Sequence, residues 1–169
     1  MRLQRGQIPQ LSRQMVKALV DAGDIEVSSQ RDVERDFESV MTSYLGQVDQ
    51  VLSRARDLVH QRGLPQGEFS RIKELAAEQA GIKVGDDGMD YLLGQLLEML
   101  MQSSSVEEVF AEDHEIKKRI RGFLREEEAQ DQKLDAEVRA KLRHVQEGTR
   151  VWEIEYERMK SEIKRRRGM

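Results

Sequence analysis

Three histidines, His60, His114 and His144, are the side chains of this chain best suited to proton transfer or metal ligation near neutral pH. No two of them share the i, i+4 spacing that sets a pair of imidazoles on one helical face, so exposed helix positions are expected for all three. Glu126-Glu127-Glu128 with Asp131 has the charge to attract a hard cation. Consecutive helical positions point in different directions, however, and a solvated face is the expectation. Gly85-Asp86-Asp87-Gly88 lacks the alternating ligands and closing glutamate of a calcium loop and reads as a turn with an N-cap. Ser103-Ser104-Ser105 reads as a loop and N-cap for Val106 and Glu107 rather than as a nucleophile. The glycines are dispersed, with neither GxxxxGK nor GxGxxG, so no phosphate-cradling loop is expected. No cysteine is present, which excludes disulfides, thiolate catalysis and Cys-based zinc sites. The residue types therefore predict no enzyme, no metal and no cofactor.

Charge and one tryptophan remain. Lys117, Lys118, Arg121 and Arg125 fall on the outward side of a helix whose inward side carries Ile116, Ile120 and Phe123. A second basic group, Lys164-Arg165-Arg166-Arg167, follows the last apolar stripe. Cations suit a helix C-terminus through the macrodipole. Four in succession, on both sides of the helix, exceed that need and leave room for an anionic partner. Trp152 lies just inside the last helix, where Gly148-Thr149-Arg150 supplies the cap. It is open to two readings, an anchor between helices or a binding hot spot. Phe37, Phe69, Phe123 and Tyr156 sit at core spacing, which leaves no displayed aromatic platform for RNA.

The elements that must position these groups are helices. Of 169 residues, 38% are hydrophobic and 36% charged, with eight aromatics and two prolines. That balance argues for amphipathic helices rather than a sandwich or barrel. Lys plus Arg number 28 against 32 Asp plus Glu, a net charge of −4, so no global basicity points to nucleic acid. Residues 1–10 have no apolar leader pattern and no apolar run reaches membrane-spanning length, so a cytoplasmic protein without a membrane partner is expected. Ile8, Leu11, Met15, Val16, Leu19 and Val20 form the stripe of a first helix ended by Gly23. Ser28 or Ser29 caps a second, carrying Val33, Phe37, Val40, Met41 and Tyr44, with Asp32 answering the helix dipole. Gly46 predicts a kink. A third helix then runs from Val48 to Val59 and is closed by Gly63 and Pro65. A fourth, from Glu68 to Ala80, turns Phe69, Ile72, Leu75 and Ala76 inward.

The same order recurs. A shift of 81 lays Ile8 on Met89, Leu11 on Leu92, Leu19 on Leu100 and Ile25 on Val106. A shift of 83 lays Val33 on Ile116, Phe37 on Ile120, Met41 on Leu124 and Val59 on Leu142. A shift of 87 lays Glu68-Phe69-Ser70-Arg71-Ile72-Lys73 on Glu155-Tyr156-Glu157-Arg158-Met159-Lys160. Both changes of shift fall in loops, where insertions leave an apolar face unrotated. An internal duplication of about 80 residues is the reading. Under it Lys117 replaces Glu34 and Arg121 replaces Glu38, so two outward positions have reversed charge. These pairs either meet near a pseudo-two-fold axis, or the basic face is free to engage an anionic partner.

The opening Met1-Arg2-Leu3, Met15-Val16-Lys17-Ala18-Leu19, Arg71-Ile72-Lys73 to Gly81-Ile82, and the helix Glu115 to Leu124 resemble a bacterial family known as domain of unknown function 507. Glu147-Gly148-Thr149-Arg150-Val151-Trp152 is the most specific part of the likeness, which spans the whole chain. The resemblance implies a small, soluble, duplicated helical protein. It carries over no activity and no catalytic residue.

The expected architecture is thus all-α, with about eight helices in two tandem four-helix repeats, residues 1–82 and 83–169, packed together with pseudo-two-fold symmetry. Alone, a chain of about 80 residues buries too small a share of its surface, so each half needs the other. The helices Leu11 to Val20 and Leu92 to Met101 are expected at the joint. Met99 falls off the main stripe of the second, which is expected to be buried on more than one side. A short extended pairing of Arg2-Leu3 with Ile82-Lys83-Val84 is an added expectation. Functionally the chain reads as a non-enzymatic interaction or scaffold protein with a protein partner. Lys117, Lys118, Arg121, Arg125, Trp152 and the 164–167 run are its candidate partner-binding residues. The alternative is an RNA- or ribosome-associated factor using the same basic clusters.

Overall fold

In the computed structural model, which describes residues 3–169, the apolar stripes become six α-helices and two short strands. They are α1 (Ile8–Asp21), β1 (Ile25–Val27), α2 (Gln30–Gln61), α3 (Phe69–Ala80), α4 (Gly88–Gln102), β2 (Val106–Val109), α5 (Asp113–Lys141) and α6 (Arg150–Arg167). The protein is predominantly helical, as its composition predicts.

The expected count of eight helices is corrected to six. α2 runs unbroken through Gly46 for 32 residues, and α5 is similarly continuous. The reason lies in the burial of Val33, Phe37, Met41, Tyr44, Val51, Ala55 and Val59 along one face. These positions keep steps of three, four or seven across Gly46, so no rotation of the face is needed there. One glycine in a helix interior costs about 1 kcal/mol, less than the burial it would interrupt. The caps expected from Ser29 and from the Gly148-Thr149-Arg150 turn hold, whereas Ser103-Ser104-Ser105 caps no helix. Ser29 Oγ accepts from the Asp32 N–H at 3.3 Å, and Thr149 Oγ1 accepts from the Trp152 N–H at 3.2 Å.

The expected helix start at Val106 is also corrected, because residues 106–109 are a strand. β2 pairs antiparallel with β1 in the register Ile25↔Val109, Glu26↔Glu108 and Val27↔Val106, with an irregularity between Glu26 and Val27. Residues 82–84 belong to neither strand. Of their expected partners, Arg2 lies outside the described residues, and Leu3 is buried in the core. Leu75, expected inward, is exposed.

The chain divides into two compact units, Met1–Arg125 and Glu126–Met169, with the division inside α5. The first unit holds the main core. Met15, Val16 and Leu19 of α1 join Phe37 and Met41 of α2, Leu92, Leu93, Leu96 and Leu100 of α4, and Ile116 and Ile120 of α5. The buried leucines of α4 fall within one arc of about 140°, with Met99 half-buried against the same core, so the expected burial on more than one side becomes one broad face. At its start, Gly88 faces the Tyr44 hydroxyl so closely that a Cβ would overlap it. That hydroxyl donates to the Lys83 carbonyl at 3.0 Å, and burial pushes the phenol up to about 12. The α2–α3 hairpin of this unit closes around Ala55, Val59 and Ile72, with Val51, Ala76, Ala77 and Ile82 beside them. The second unit is the hairpin of α5 and α6, with Leu134, Val138, Leu142, Tyr156 and Ile163 buried in its core.

Candidate functional site: a basic face on the fifth helix

At the start of α5 the Glu115 side chain reaches back to the residue before the helix. The Glu112 N–H donates to the Glu115 side chain at 2.9 Å, and Asp113 adds negative charge at the positive end of the dipole. Ile116, Ile120 and Leu124 are buried along one side of the helix. At 100° per residue, Lys117, Lys118, Arg121 and Arg125 share an arc of about 100° on the other side, and His114 falls in the same arc. Lys118 and Arg125 are exposed, while Lys117 and Arg121 are half-buried.

The four cations differ in their partners. Arg121 forms an ion pair with Asp90 at 2.6 Å, and its buried Nε has no hydrogen-bond partner. Lys117, Lys118 and Arg125 form no ion pair with a described residue. The structure therefore does not bring Lys117 or Arg121 onto Glu34 or Glu38; Asp90 takes the place that Glu38 had in the axial reading. Beside the arc lies Arg119, which the sequence analysis did not single out. It is fixed by Asp24, a buried carboxylate 2.5 Å away. His114, Glu115, Lys118 and Arg119 line a surface hollow of about 530 Å³. The His114 Nδ1 lies 3.3 Å from Glu112.

The second basic group is more occupied. Arg166 reaches Glu162 at 2.5 Å and Arg167 reaches Glu137 at 2.6 Å, so two of the four cations are answered within the unit. Lys164 acts on Glu127 through its charge. That carboxyl is nevertheless pushed up, first by burial and then by Asp131, with Lys164 pulling it down. Arg165 is exposed.

Trp152 is half-buried and stacks on Tyr156, with ring centroids 5.0 Å apart and planes at 27°. Arg139 lies over its ring at 5.2 Å, while hydrogen-bonding Asp135 at 2.9 Å and pairing with Glu147. The Tyr156 hydroxyl donates to Asp135 at 2.5 Å, and Lys160 pairs with Asp131 at 3.3 Å, both of them buried. The sequence analysis missed this network. Its signal was two i, i+4 series, Asp131-Asp135-Arg139 and Trp152-Tyr156-Lys160, running in opposite directions on consecutive helices. Such a series becomes visible once α5 and α6 are known to form a hairpin.

Among the described residues, no group of three or more His, Asp or Glu side chains is placed to hold a metal ion. Among the same residues, no helix is long and apolar enough to cross a membrane. The model of the family described as Protein of unknown function (DUF507) matches residues 1–169, the whole chain. No curated protein matches.

Proposed function

The chain belongs to that family, and from this premise we propose that it is a non-enzymatic interaction protein whose α5 basic face docks on an acidic surface of a protein partner. The observation that carries the reading is that Lys117, Lys118 and Arg125 share one arc of α5 and form no ion pair with a described residue. At the cognate positions of α2 stand Glu34, Arg35 and Thr42, so this arc of positive charge has no counterpart on α2. The 164–167 run supports the reading less, because Arg166 and Arg167 already have carboxylate partners. Trp152, stacked between Tyr156 and Arg139, is read as an anchor of the α5–α6 hairpin.

Reversal of the free cations tests this. In Lys117→Glu/Lys118→Glu/Arg125→Glu, partner capture from the native cytoplasm is lost while the far-UV circular dichroism spectrum stays that of the folded helical chain. Capture is run with and without RNase. Partners that vanish with RNase make the face an RNA-binding one and overturn the protein reading.

We also propose that residues 1–82 and 83–169 are duplicated halves of three helices and one strand each, in place of four helices each. The order helix, strand, long helix, shorter helix runs twice along the chain. Within Met1–Arg125, β1 and β2 are cognate under the shift of 81 and pair with each other. Asp36 and Arg119 are cognate under the shift of 83. Each reaches the segment before the other half's strand, Asp36 accepting from Ser103 Oγ at 2.7 Å and Arg119 pairing with Asp24 at 2.5 Å. This reciprocity is what a pseudo-two-fold relation between the halves' first helices and strands produces.

A further inference from the structure

Phe110 is 60% exposed, although its backbone is held firmly. Its N–H donates to the Asp24 carbonyl at 2.9 Å, and the Ala111 N–H donates to the same oxygen at 3.2 Å. Asp24 in turn is buried and clamped by Arg119. A large apolar side chain displayed on a preorganised backbone loses little freedom when it is covered, which is how interface anchors behave. The residues flanking it in the chain are acidic: Glu107, Glu108, Glu112 and Asp113, all exposed, with Glu115 lining the edge of the hollow that follows. Across the sheet Glu108 stands directly opposite Glu26, and neither forms an ion pair with a described residue. Like charges directly opposite on an antiparallel pair are destabilising. A helix dipole favours acids at the start of α5, but it does not reach back to a strand, so Glu26 and Glu108 stay uncompensated. The first turns of α5 then reverse the sign with Lys117 and Lys118, beside the hollow at His114 and Arg119.

One stretch of chain therefore carries an acidic patch with an apolar knob, followed by a basic patch with a hollow. Turned about a two-fold axis, such a stretch is complementary to itself. Resting on the reading of α5 as a protein-docking face, we infer that the acidic surface it meets is the 107–115 segment of a second copy, making the protein an isologous dimer. Each copy sets Lys117 and Lys118 against the other's Glu107 and Glu108, and Phe110 against the other's hollow.

Light scattering on the purified full chain tests this. Wild type is expected at twice 19.6 kDa in low salt and to dissociate as salt is raised. Lys117→Glu/Lys118→Glu and Glu107→Lys/Glu108→Lys are each expected to be monomeric, and mixing the two restores the dimer. Compared at salt that dissociates the wild-type dimer, the second variant melts no lower than wild type, because it relieves the Glu26–Glu108 opposition. Phe110→Ser is likewise monomeric and melts with wild type under those conditions, whereas at low salt the dimer itself raises the wild-type melt. A wild type that stays monomeric, or a dimer that survives both reversals, overturns the inference. A monomer that still captures an acidic protein through Lys117 and Lys118 leaves the docking face standing. A reversal that changes neither mass nor capture removes both.

Discussion

Two hairpins of the molecule, α2–α3 and α5–α6, each follow a helix and a strand in the chain and are held by different physics. In α2–α3 the seam is apolar, with Ala55, Val59 and Ile72 buried together and Val51, Ala76, Ala77 and Ile82 beside them. In α5–α6 a row of polar rungs accompanies the apolar seam of Leu134, Val138 and Leu142: Arg139 on Trp152, Asp135 on Tyr156, Asp131 on Lys160, and Glu127 near Lys164. Each step of four down α5 meets a step of four up α6. Under the duplication proposed above, Asp131 and Asp135 correspond to Val48 and Leu52, which makes the same helix position apolar in one hairpin and acidic in the other. The apolar seam needs only complementary shape, whereas the buried Lys160 ammonium needs a carboxylate across the seam. A one-turn slide of α6 would exchange Asp131 for Asp135 or Glu127 as that carboxylate, so the acidic row on α5 guarantees a partner for the buried cation at a cost in desolvation.

The largest expected effect comes from breaking one rung. Asp131→Val removes the carboxylate that answers the buried Lys160 ammonium and should cost about 3–5 kcal/mol, read by denaturant unfolding. Adding Lys160→Met to the same chain should recover most of that loss, since an apolar pair replaces the buried charges. A double variant no more stable than the single one breaks the comparison, because the rung would then matter for more than its charges. Next is the apolar seam. Ile72→Ala in the α2–α3 hairpin should cost about 2–5 kcal/mol, and no change on α2 analogous to Lys160→Met should rescue it. The smallest effect sharpens the electrostatic side. Burial, with Asp131 next, holds the Glu127 carboxyl above its ordinary range, so the folded state prefers it protonated. Its ionised form therefore costs stability at neutral pH, and that cost fades as pH falls through its raised pKa toward the ordinary carboxylate range. Glu127→Gln should raise the unfolding free energy slightly at pH 7, by a fraction of a kcal/mol after solvent screening, and not at all in acid, read by denaturant unfolding at the two pH values.

Helix ends were the most legible part of the fold, because caps and stops are local chemistry. Ser29 and Thr149 cap as their sequence context predicts, and Gly81 ends α3 in the left-handed conformation. Continuity through Gly46 was misjudged by weighing one residue's propensity above an apolar spacing that runs straight across it. The strands were illegible for a different reason. Ile25-Glu26-Val27 and Val106 to Val109 are too short to establish a period of two, and each becomes a strand only through the other. Of the candidate site, the α5 arc could be read from helical spacing. The Arg121–Asp90 and Arg119–Asp24 pairs could not, since each joins residues from different elements.

The pairing of β1 with β2 also sets an order of events in time. Ile25 meets Val109 across more than 80 residues of chain, whereas α2 finds α3 through a short turn. Local hairpins close in microseconds, and distant contacts wait on the slower closure of a long loop. During synthesis the first three helices emerge while β1 still lacks its partner, with both its edges open and the apolar face of α1 waiting for α4. A folding chain is therefore most exposed to aggregation and to chaperones between the appearance of Ala80 and that of Val109.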